Sequence, residues 1–308
     1  MSIMNLISGY LASDIRMATP ILFAGLGLLI INRSGLLNIG AEGTMLVSTL
    51  LAVVGSYYSG SVWVGLLCAV ISGALMGLLF AFFTVTVKAN QIVIGAALNI
   101  LGSGLSATLN RIIFGVSTTV TRFDAFTNIK IPLLSDIPLI GGALFNQMIP
   151  VYAAFLLVPA ISYYLFRTQA GLNLRSVGEN PRVADTLGVN VYRLQYMSAI
   201  IGSALIAAGG AYLSTGLVSS FSEEMVAGRG YIALAAVVFG KYKPGGVMLA
   251  SLIFVAGNVL SNILQVSGTP IPYTLLTMIP YVLTVVALAA FAKGAVAPAS
   301  LGRPYKRG

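Results

Sequence analysis

Long apolar stretches separated by short polar connections dominate the hydrophobicity pattern of this chain. A helix that crosses a membrane needs about 20 predominantly apolar residues, and several of the stretches approach that length. Three are shorter (17–31, 43–58 and 230–240), which is typical of helices that are broken inside a membrane. The nine apolar segments are residues 17–31, 43–58, 62–86, 91–109, 149–166, 195–214, 230–240, 246–264 and 273–292.

This pattern predicts an all-α polytopic membrane protein that forms one transmembrane domain over residues 1–308, with about 9–10 membrane segments. A tenth segment arises if residues 2–13 also insert, and the pattern leaves that open. Composition supports the assignment, because 57% of the residues are hydrophobic and 8% are charged, whereas soluble domains carry roughly a quarter charged residues. A surface so poor in charge must face lipid or other helices.

The distribution of basic residues predicts the orientation. With nine crossings and a cytoplasmic C-terminus, only five of the 17 basic residues fall outside, as the positive-inside rule requires. The longest connection, 110–148, is then extracytoplasmic, and the connection 167–194 is cytoplasmic. The net charge of +9 therefore reports membrane topology, and no nucleic-acid partner is expected.

Small residues recur at every fourth position of segment 62–86. Such a stripe lies on one helical face and allows another helix backbone to approach closely, so we interpret it as a packing surface. Its members are Gly65, Ala69, Gly73, Gly77 and Ala81.

Several kinds of chemistry are missing from the sequence. It contains no histidine, and Cys68 is the single cysteine, so we expect no metal site and no catalytic nucleophile–base pair. The phosphate-binding pattern G-x-x-x-x-G-K-[ST] does not occur either. We therefore expect a protein that is not an enzyme and that hydrolyses no ATP itself.

Residues 32–45, NRSGLLNIGAEGTM, interrupt two short apolar segments. A single helix over 17–58 would be about 63 Å long, twice the thickness of the hydrocarbon layer, so the chain must break here. The break is either a tight cytoplasmic turn or a discontinuous helix that reaches into the membrane. In the second case Asn38 and Glu42 would share one face at the start of the next helix and contribute to a solute pathway; in the first they would cap an interfacial turn.

Further amides lie within the apolar segments. They suit the recognition of a neutral polar solute, because an amide both donates and accepts hydrogen bonds. They also serve as contacts between helices, and the sequence does not separate these two roles. The candidate pathway residues in this group are Gln91, Asn99, Asn258 and Asn262.

The stretch RSVGENPRVADTLGV, residues 175–189, is unusually polar for this chain. Asn180 is a good N-cap, Pro181 suits the first helical position and Gly188 suits the position after a helix. The stretch therefore predicts a two-turn helix with an apolar edge formed by Val183 and Leu187. So short a helix needs a docking partner, although a generic surface turn is the alternative.

Three motifs together resemble the permease subunits of bacterial ABC importers, in the branch for simple sugars, nucleosides and branched-chain amino acids. They are RSVGENPRVADTLGVNV, SGLLNIGAEGTM and AGRGYIALAAVVFGKYKPGG. Within the branch the chain is most similar to nucleoside permeases that work with lipoproteins of the basic-membrane-protein type.

The resemblance implies a multi-pass protein of the bacterial cytoplasmic (inner) membrane that moves nucleosides or a related neutral polar solute into the cell. A sugar or branched-chain amino-acid permease of the same architecture, or an ion-coupled secondary transporter, remains an alternative. The implied partners are a cytoplasmic ABC ATPase that holds ATP and magnesium, a second and non-identical permease chain, and an extracytoplasmic solute-binding lipoprotein. The residues that the resemblance places in a cytoplasmic coupling helix on the ATPase are Gly178, Glu179, Asn180, Pro181, Ala184 and Gly188, to which the apolar edge adds Val183 and Leu187.

Overall fold

Helices make up nearly all of the regular structure in the computed structural model, which describes residues 3–115, 125–130, 141–266, 272, 274–280, 282, 286 and 294–306. The helices are α1 (Ile3–Arg33), α2 (Ala41–Ser59), α3 (Val62–Ala81), α4 (Gln91–Phe114), α5 (Gly141–Leu144), α6 (Ile149–Arg167), α7 (Gln169–Glu179), α8 (Pro181–Thr186), α9 (Val191–Tyr212), α10 (Arg229–Phe239) and α11 (Pro244–Val266). Short π-helical turns extend α3 over Phe82–Thr86 and α9 over Leu213–Val218, and the strands are β1 (Asn128–Lys130) and β2 (Asn146–Met148).

Six of the helices in this part of the chain are long and apolar enough to cross a membrane: α1, α3, α4, α6, α9 and α11. Of the three segments predicted to be short, 230–240 is confirmed as the 11-residue α10, whereas 17–31 is part of the 31-residue α1 and 43–58 is part of the buried, 19-residue α2. The predicted segment 273–292 is helical at 274–280, 282 and 286, and its remaining positions lie outside the described residues.

Helix α1 is longer than the sequence pattern indicated. It has 31 residues, or about 46 Å, and continues through Asp14 and Arg16, where the apolar pattern stops. The Arg16 side chain donates from Nε to Gln147 Oε1 at 2.8 Å, and Asp14 is only 7% exposed. Because residues 3–33 form one helix, the possibility of a separate tenth crossing by residues 2–13 is wrong.

The predicted packing role of the small-residue stripe on α3 is confirmed. A Cβ atom on Gly73 would lie 2.5 Å from the carbonyl oxygen of Ser203 in α9, and one on Gly77 would lie 2.4 Å from that of Ala199. The stripe therefore seats α3 directly against the backbone of α9. Helix α9 also packs against α1, which occupies the centre of the bundle with 89% of its crossing segment buried.

The two ends of the bundle carry different small elements. At one end, within the predicted connection 110–148, β1 and β2 pair antiparallel with Asn128 opposite Met148. We call this the hairpin end. At the other end, the predicted connection 167–194 consists of two helices, α7 and α8, where only one short helix was expected. Helix α7 escaped prediction because it is too polar to form an apolar run. We call this the α8 end.

Candidate functional site

Residues 34–40 leave the end of α1 and run alongside α4 before α2 begins. Leu37 N donates to Gln91 Oε1 at 2.6 Å, in the first residue of α4. Gly43 N donates to Asn99 Oδ1 at 2.8 Å, about 12 Å further along the α4 axis. Helix α2 thus starts well inside the length of a membrane-crossing helix, which favours the discontinuous-helix interpretation over a tight turn.

Asn38 lies before α2, which begins at Ala41. The expectation that Asn38 and Glu42 share one helical face is therefore wrong. The Asn38 side chain accepts a hydrogen bond from Gly40 N at 2.8 Å and so closes a local turn, as Asn commonly does in such positions.

Glu42 caps a helix other than its own. Its Oε1 accepts from Gly228 N and its Oε2 from Gly230 N, both at 2.7 Å, at the start of α10. The first N–H groups of a helix have no intrahelical partner, and the helix dipole favours negative charge there. The buried carboxylate of Glu42, 8% exposed, therefore joins the starts of α2 and α10.

Asn99 completes this arrangement from α4. Besides accepting from Gly43 N, it donates from Nδ2 to Ile39 O at 3.0 Å and to Tyr231 Oη at 2.9 Å. One amide thus contacts three elements: the segment before α2, the first turn of α2 and the first turn of α10. We call residues 37–43, Asn99 and 228–231 the helix-start cluster.

The six candidate pathway residues fall into two groups. Asn38, Glu42, Gln91 and Asn99 all belong to the helix-start cluster or adjoin it. On α11, Asn258 is half-buried and donates to Phe254 O of its own helix at 3.4 Å, and Asn262 is exposed. Sequence reasoning missed Tyr231, although its motif was noted, because nothing local indicates that it meets Asn99.

The segment before α10 is tied to α4 towards the hairpin end. Arg111 donates from Nε and Nη2 to the two carboxylate oxygens of Glu223 at 3.1 and 3.2 Å, and Ser103 donates to Glu224. Arg229 donates from Nη1 to the carbonyl oxygens of residues 225 and 226. These contacts guide the chain from the end of α9 back to the start of α10 beside Glu42.

At the α8 end, the predicted helix 181–187 is confirmed as Pro181–Thr186. Asn180 Oδ1 accepts from Val183 N at 3.3 Å, and Gly188 has a φ of +84°, a left-handed conformation that favours glycine. The side chains of Val183 and Leu187 are 52% and 78% exposed. Val183 and Leu187 therefore form an exposed apolar edge at α8.

Residues 294–306 contact α8 on the side of Ala184 and Asp185, and we call them the C-terminal strap. Ala184 packs with Tyr305 in a small apolar cluster, and Tyr305 Oη donates to Asp185 Oδ2 at 2.9 Å. Ser300 N donates to Gly178 O at 3.0 Å, and Ala299 N donates to Glu179 Oε2 at 3.2 Å. The strap thereby anchors both α7 and α8.

The end of α1 connects α7 to the turn between α10 and α11. Gly178 lies so close to Arg33 that a Cβ would approach the Arg33 carbonyl oxygen to 2.3 Å. Arg33 donates from Nε and Nη2 to Tyr242 O at 3.1 and 2.6 Å, and its guanidinium lies over the rings of Phe166 and Tyr242. The pKa of the Tyr242 phenol is raised above its ordinary value, because the effect of burial exceeds the opposing effect of the Arg33 charge.

Comparison with known proteins identifies the family. The family model described as branched-chain amino acid transport system / permease component matches residues 10–288. The nucleoside ABC transporter permease protein NupC of Lactococcus lactis is 35% identical over 99% of both chains. The guanosine ABC transporter permease protein NupQ of Bacillus subtilis is 35% identical over 100% of this chain and 99% of its own.

A third relative is TsgC13 of Haloferax volcanii, a permease protein named for a glucose ABC transporter. It is 35% identical over 82% of this chain and 76% of its own. Full-length similarity to ABC permeases agrees with the six apolar helices that are long enough to cross a membrane. The chain belongs to the family of permease components of branched-chain amino acid-type ABC transport systems.

Proposed function

We propose that this chain is the transmembrane subunit of an importer that moves nucleosides into the cell, with ATP hydrolysed by a separate subunit. The observation that carries the proposal is the 35% identity to NupC and NupQ over essentially the whole chain. The absence of a phosphate-binding loop from the sequence supports the assignment of ATP and magnesium to a partner.

Helix α8 is the proposed contact with that ATPase, and the α8 end then faces the cytoplasm. A six-residue helix is not stable alone, yet α8 is held by its N-cap, by buried Ala184 and by the strap. An apolar edge on a firmly seated helix is suited to a groove in a partner. In this proposal Val183 and Leu187 enter the groove, while Gly178, Glu179 and Ala184 position the helix.

Movement of α8 would reach the helix-start cluster through direct contacts. Gly178 of α7 is in close contact with Arg33 at the end of α1. Arg33 donates to Tyr242 O in the α10–α11 turn, and the first turn of α10 donates to the Glu42 carboxylate. A push on α7 and α8 would therefore shift α10 relative to α2 and α4. We propose this contact series as the route from ATP hydrolysis to the membrane interior.

The solute would pass along the exposed face of α4 and α11, where a second permease chain completes the pathway. Only 22% of the α4 crossing segment is buried, and Ile100 is 76% exposed. On α11 the exposed amide of Asn262 can hydrogen-bond a neutral solute, whereas both amide hydrogens of Asn99 on α4 are already donated to Ile39 O and Tyr231 Oη. A solute-binding lipoprotein would dock at the hairpin end, on 110–148 and 215–229.

Replacing Leu187 with alanine is expected to weaken ATPase binding about tenfold, or ~1.4 kcal/mol, because an apolar side chain that is buried only in the complex is shortened. The measurement is the dissociation constant of the permease–ATPase complex in detergent, together with ATP-driven uptake. Membrane insertion should be unchanged, because the Leu187 side chain is exposed in the isolated chain.

Thr186→Ala provides a matched control. Thr186 is exposed and its Oγ1 donates only to Val183 O within α8, so ATPase affinity should change by less than about threefold, or ~0.5 kcal/mol. Equal affinities for Leu187→Ala and the unmodified chain would contradict the docking role of this edge.

The function itself is tested by reconstituting the chain with the proposed ATPase, second permease and lipoprotein. Guanosine or uridine uptake should be saturable and require ATP, with glucose and leucine not competing. Saturable uptake of leucine with no uptake of nucleosides would overturn the nucleoside assignment. Uphill uptake by this chain alone on an ion gradient would overturn the ATP-driven mechanism.

A glucose-type sugar is the second candidate solute, because TsgC13 is as similar to this chain as NupC is over the aligned part. The same competition experiment decides between them. Glucose that displaces labelled guanosine at comparable concentration would favour the sugar.

A further inference from the structure

A crevice of about 930 Å³ opens between α6 and α9, with Ile30 of α1 at its floor. It extends from the α8 end along α9 as far as Leu205, about 18 Å from Arg193. Half of the hydrocarbon thickness is about 15 Å, so the crevice is as deep as one leaflet.

The deep part of the crevice is apolar. Its walls are formed by Leu157 and Ala160 of α6 and by Met197, Ile201 and Leu205 of α9. The buried hydroxyl of Ser198 also lines it but already donates to Ser34 Oγ at 2.7 Å. These side chains offer few hydrogen-bonding groups, so this part fits a hydrocarbon chain and suits a nucleoside poorly. The crevice does not include the residues of the helix-start cluster.

The mouth of the crevice is polar and has positive charge. Arg193, Gln169, Asn173 and Asn190 line it together with the apolar side chains of Leu187 and Val189, and no acidic residue is among the described residues that do. Asn190 Oδ1 accepts from Arg193 N at 3.0 Å, so Asn190 caps α9 and fixes the start of the helix on which Arg193 stands. The guanidinium and the amide N–H groups are hydrogen-bond donors for an anion.

We propose that this crevice binds an anionic phospholipid, with one acyl chain between α6 and α9 and the headgroup phosphate at Arg193. Basic pockets between membrane helices on the cytoplasmic side bind anionic headgroups. The crevice is apolar at depth and cationic at its mouth, as the acyl chain and the phosphate headgroup of an anionic phospholipid require. The choice of the cytoplasmic leaflet rests on the orientation proposed above. The mouth includes α7 and the residues that follow α8. A bound lipid would therefore stabilise the position of α7 and α8, the proposed contact with the ATPase.

The test measures lipid retention by native mass spectrometry of the purified full-length chain, which needs neither ATPase nor solute. Phosphatidylglycerol and phosphatidylcholine with identical acyl chains are compared. The unmodified chain should retain phosphatidylglycerol preferentially. Arg193→Gln should lower that retention about fivefold, the effect expected of one cationic side chain at a membrane surface, and leave phosphatidylcholine retention unchanged.

Two further variants make the test specific. Arg167→Gln removes an exposed cation at the end of α6 that does not line the crevice, and it should behave like the unmodified chain. Ala160→Trp fills the apolar depth and should reduce retention of both lipids. Arg193 is exposed, so Arg193→Gln should fold normally. Its lipid retention can therefore be measured even if the Ala160→Trp variant fails to fold.

Three results would overturn the proposal. One is equal retention of the two lipids by the unmodified chain, which would indicate non-specific boundary lipid. Another is an unchanged preference in Arg193→Gln. The third is crosslinking of an Ala160→Cys variant to a second copy of the chain or to another permease, because the crevice would then be a protein interface. Lipid retention is measured without solute, so a failure of the proposed nucleoside transport would not change this result.

Discussion

Glu42→Ala is expected to destabilise the protein by about 1–4 kcal/mol, because the buried Gly230 N–H loses its acceptor, at about 1–3 kcal/mol, and the half-buried Gly228 N–H loses its acceptor at a smaller cost. Both carboxylate oxygens of Glu42 accept from the backbone at the start of α10, at 2.7 Å. Thermal unfolding in detergent should show a decrease in Tm on the order of 10 °C, and uptake should fall more than about tenfold.

Glu42→Gln and Glu223→Ala separate the possible causes. Glutamine keeps one acceptor oxygen but places an NH₂ group against a backbone N–H, so its stability should be intermediate. Glu223 forms an exposed ion pair with Arg111, with side chains 42% and 61% exposed, and such pairs contribute less than about 1 kcal/mol. A stable Glu42→Ala protein with altered solute affinity would show that Glu42 binds solute and is not primarily a helix cap.

Gly102→Ala is expected to force α2 and α4 apart. A Cβ atom on Gly102 would lie 2.4 Å from the carbonyl oxygen of Gly43 and 2.5 Å from its Cα, and neither backbone atom can rotate away. Overpacking of this kind costs about 1–3 kcal/mol. It also strains the hydrogen bond from Gly43 N to Asn99, so both Tm and uptake should fall.

Gly104→Ala is the matched control, two residues further along α4. A Cβ atom there meets no other atom within 4 Å, and alanine favours helix by up to about 1 kcal/mol over glycine. Its Tm should be equal to or slightly above that of the unmodified protein. Equal effects of the two substitutions would contradict the close crossing of α2 and α4 at Gly43.

The long helices could be predicted because membrane helices are recorded in the sequence as continuous apolar runs. Segments 62–86 and 246–264 agree closely with α3 plus its π-turn and with α11. The start of α1 could not be predicted in this way, because Asp14 and Arg16 interrupt the apolar run. What accommodates Arg16 is Gln147, 131 residues away in the sequence, and no local pattern reports such a partner.

The candidate site was predictable in its residue types and only partly in its geometry. Polar side chains in apolar surroundings are costly, which is why Glu42 and Asn99 stood out. Their partners are backbone groups of glycines far along the chain: Glu42 and Gly230 are 188 residues apart. The short α8 was predictable for a different reason, since capping by Asn180, Pro181 and Gly188 is local chemistry.

The C-terminal strap also has a consequence for how the protein is made. Tyr305 meets Asp185 from 120 residues further along the chain, and at about 5–20 residues per second a ribosome needs roughly 6–24 s to synthesise that interval. During that time α8 has left the ribosome but lacks the residues that seat it. If α8 docks on an ATPase as proposed, a nascent or prematurely terminated chain would therefore bind that ATPase less tightly, because the strap that holds α8 is missing.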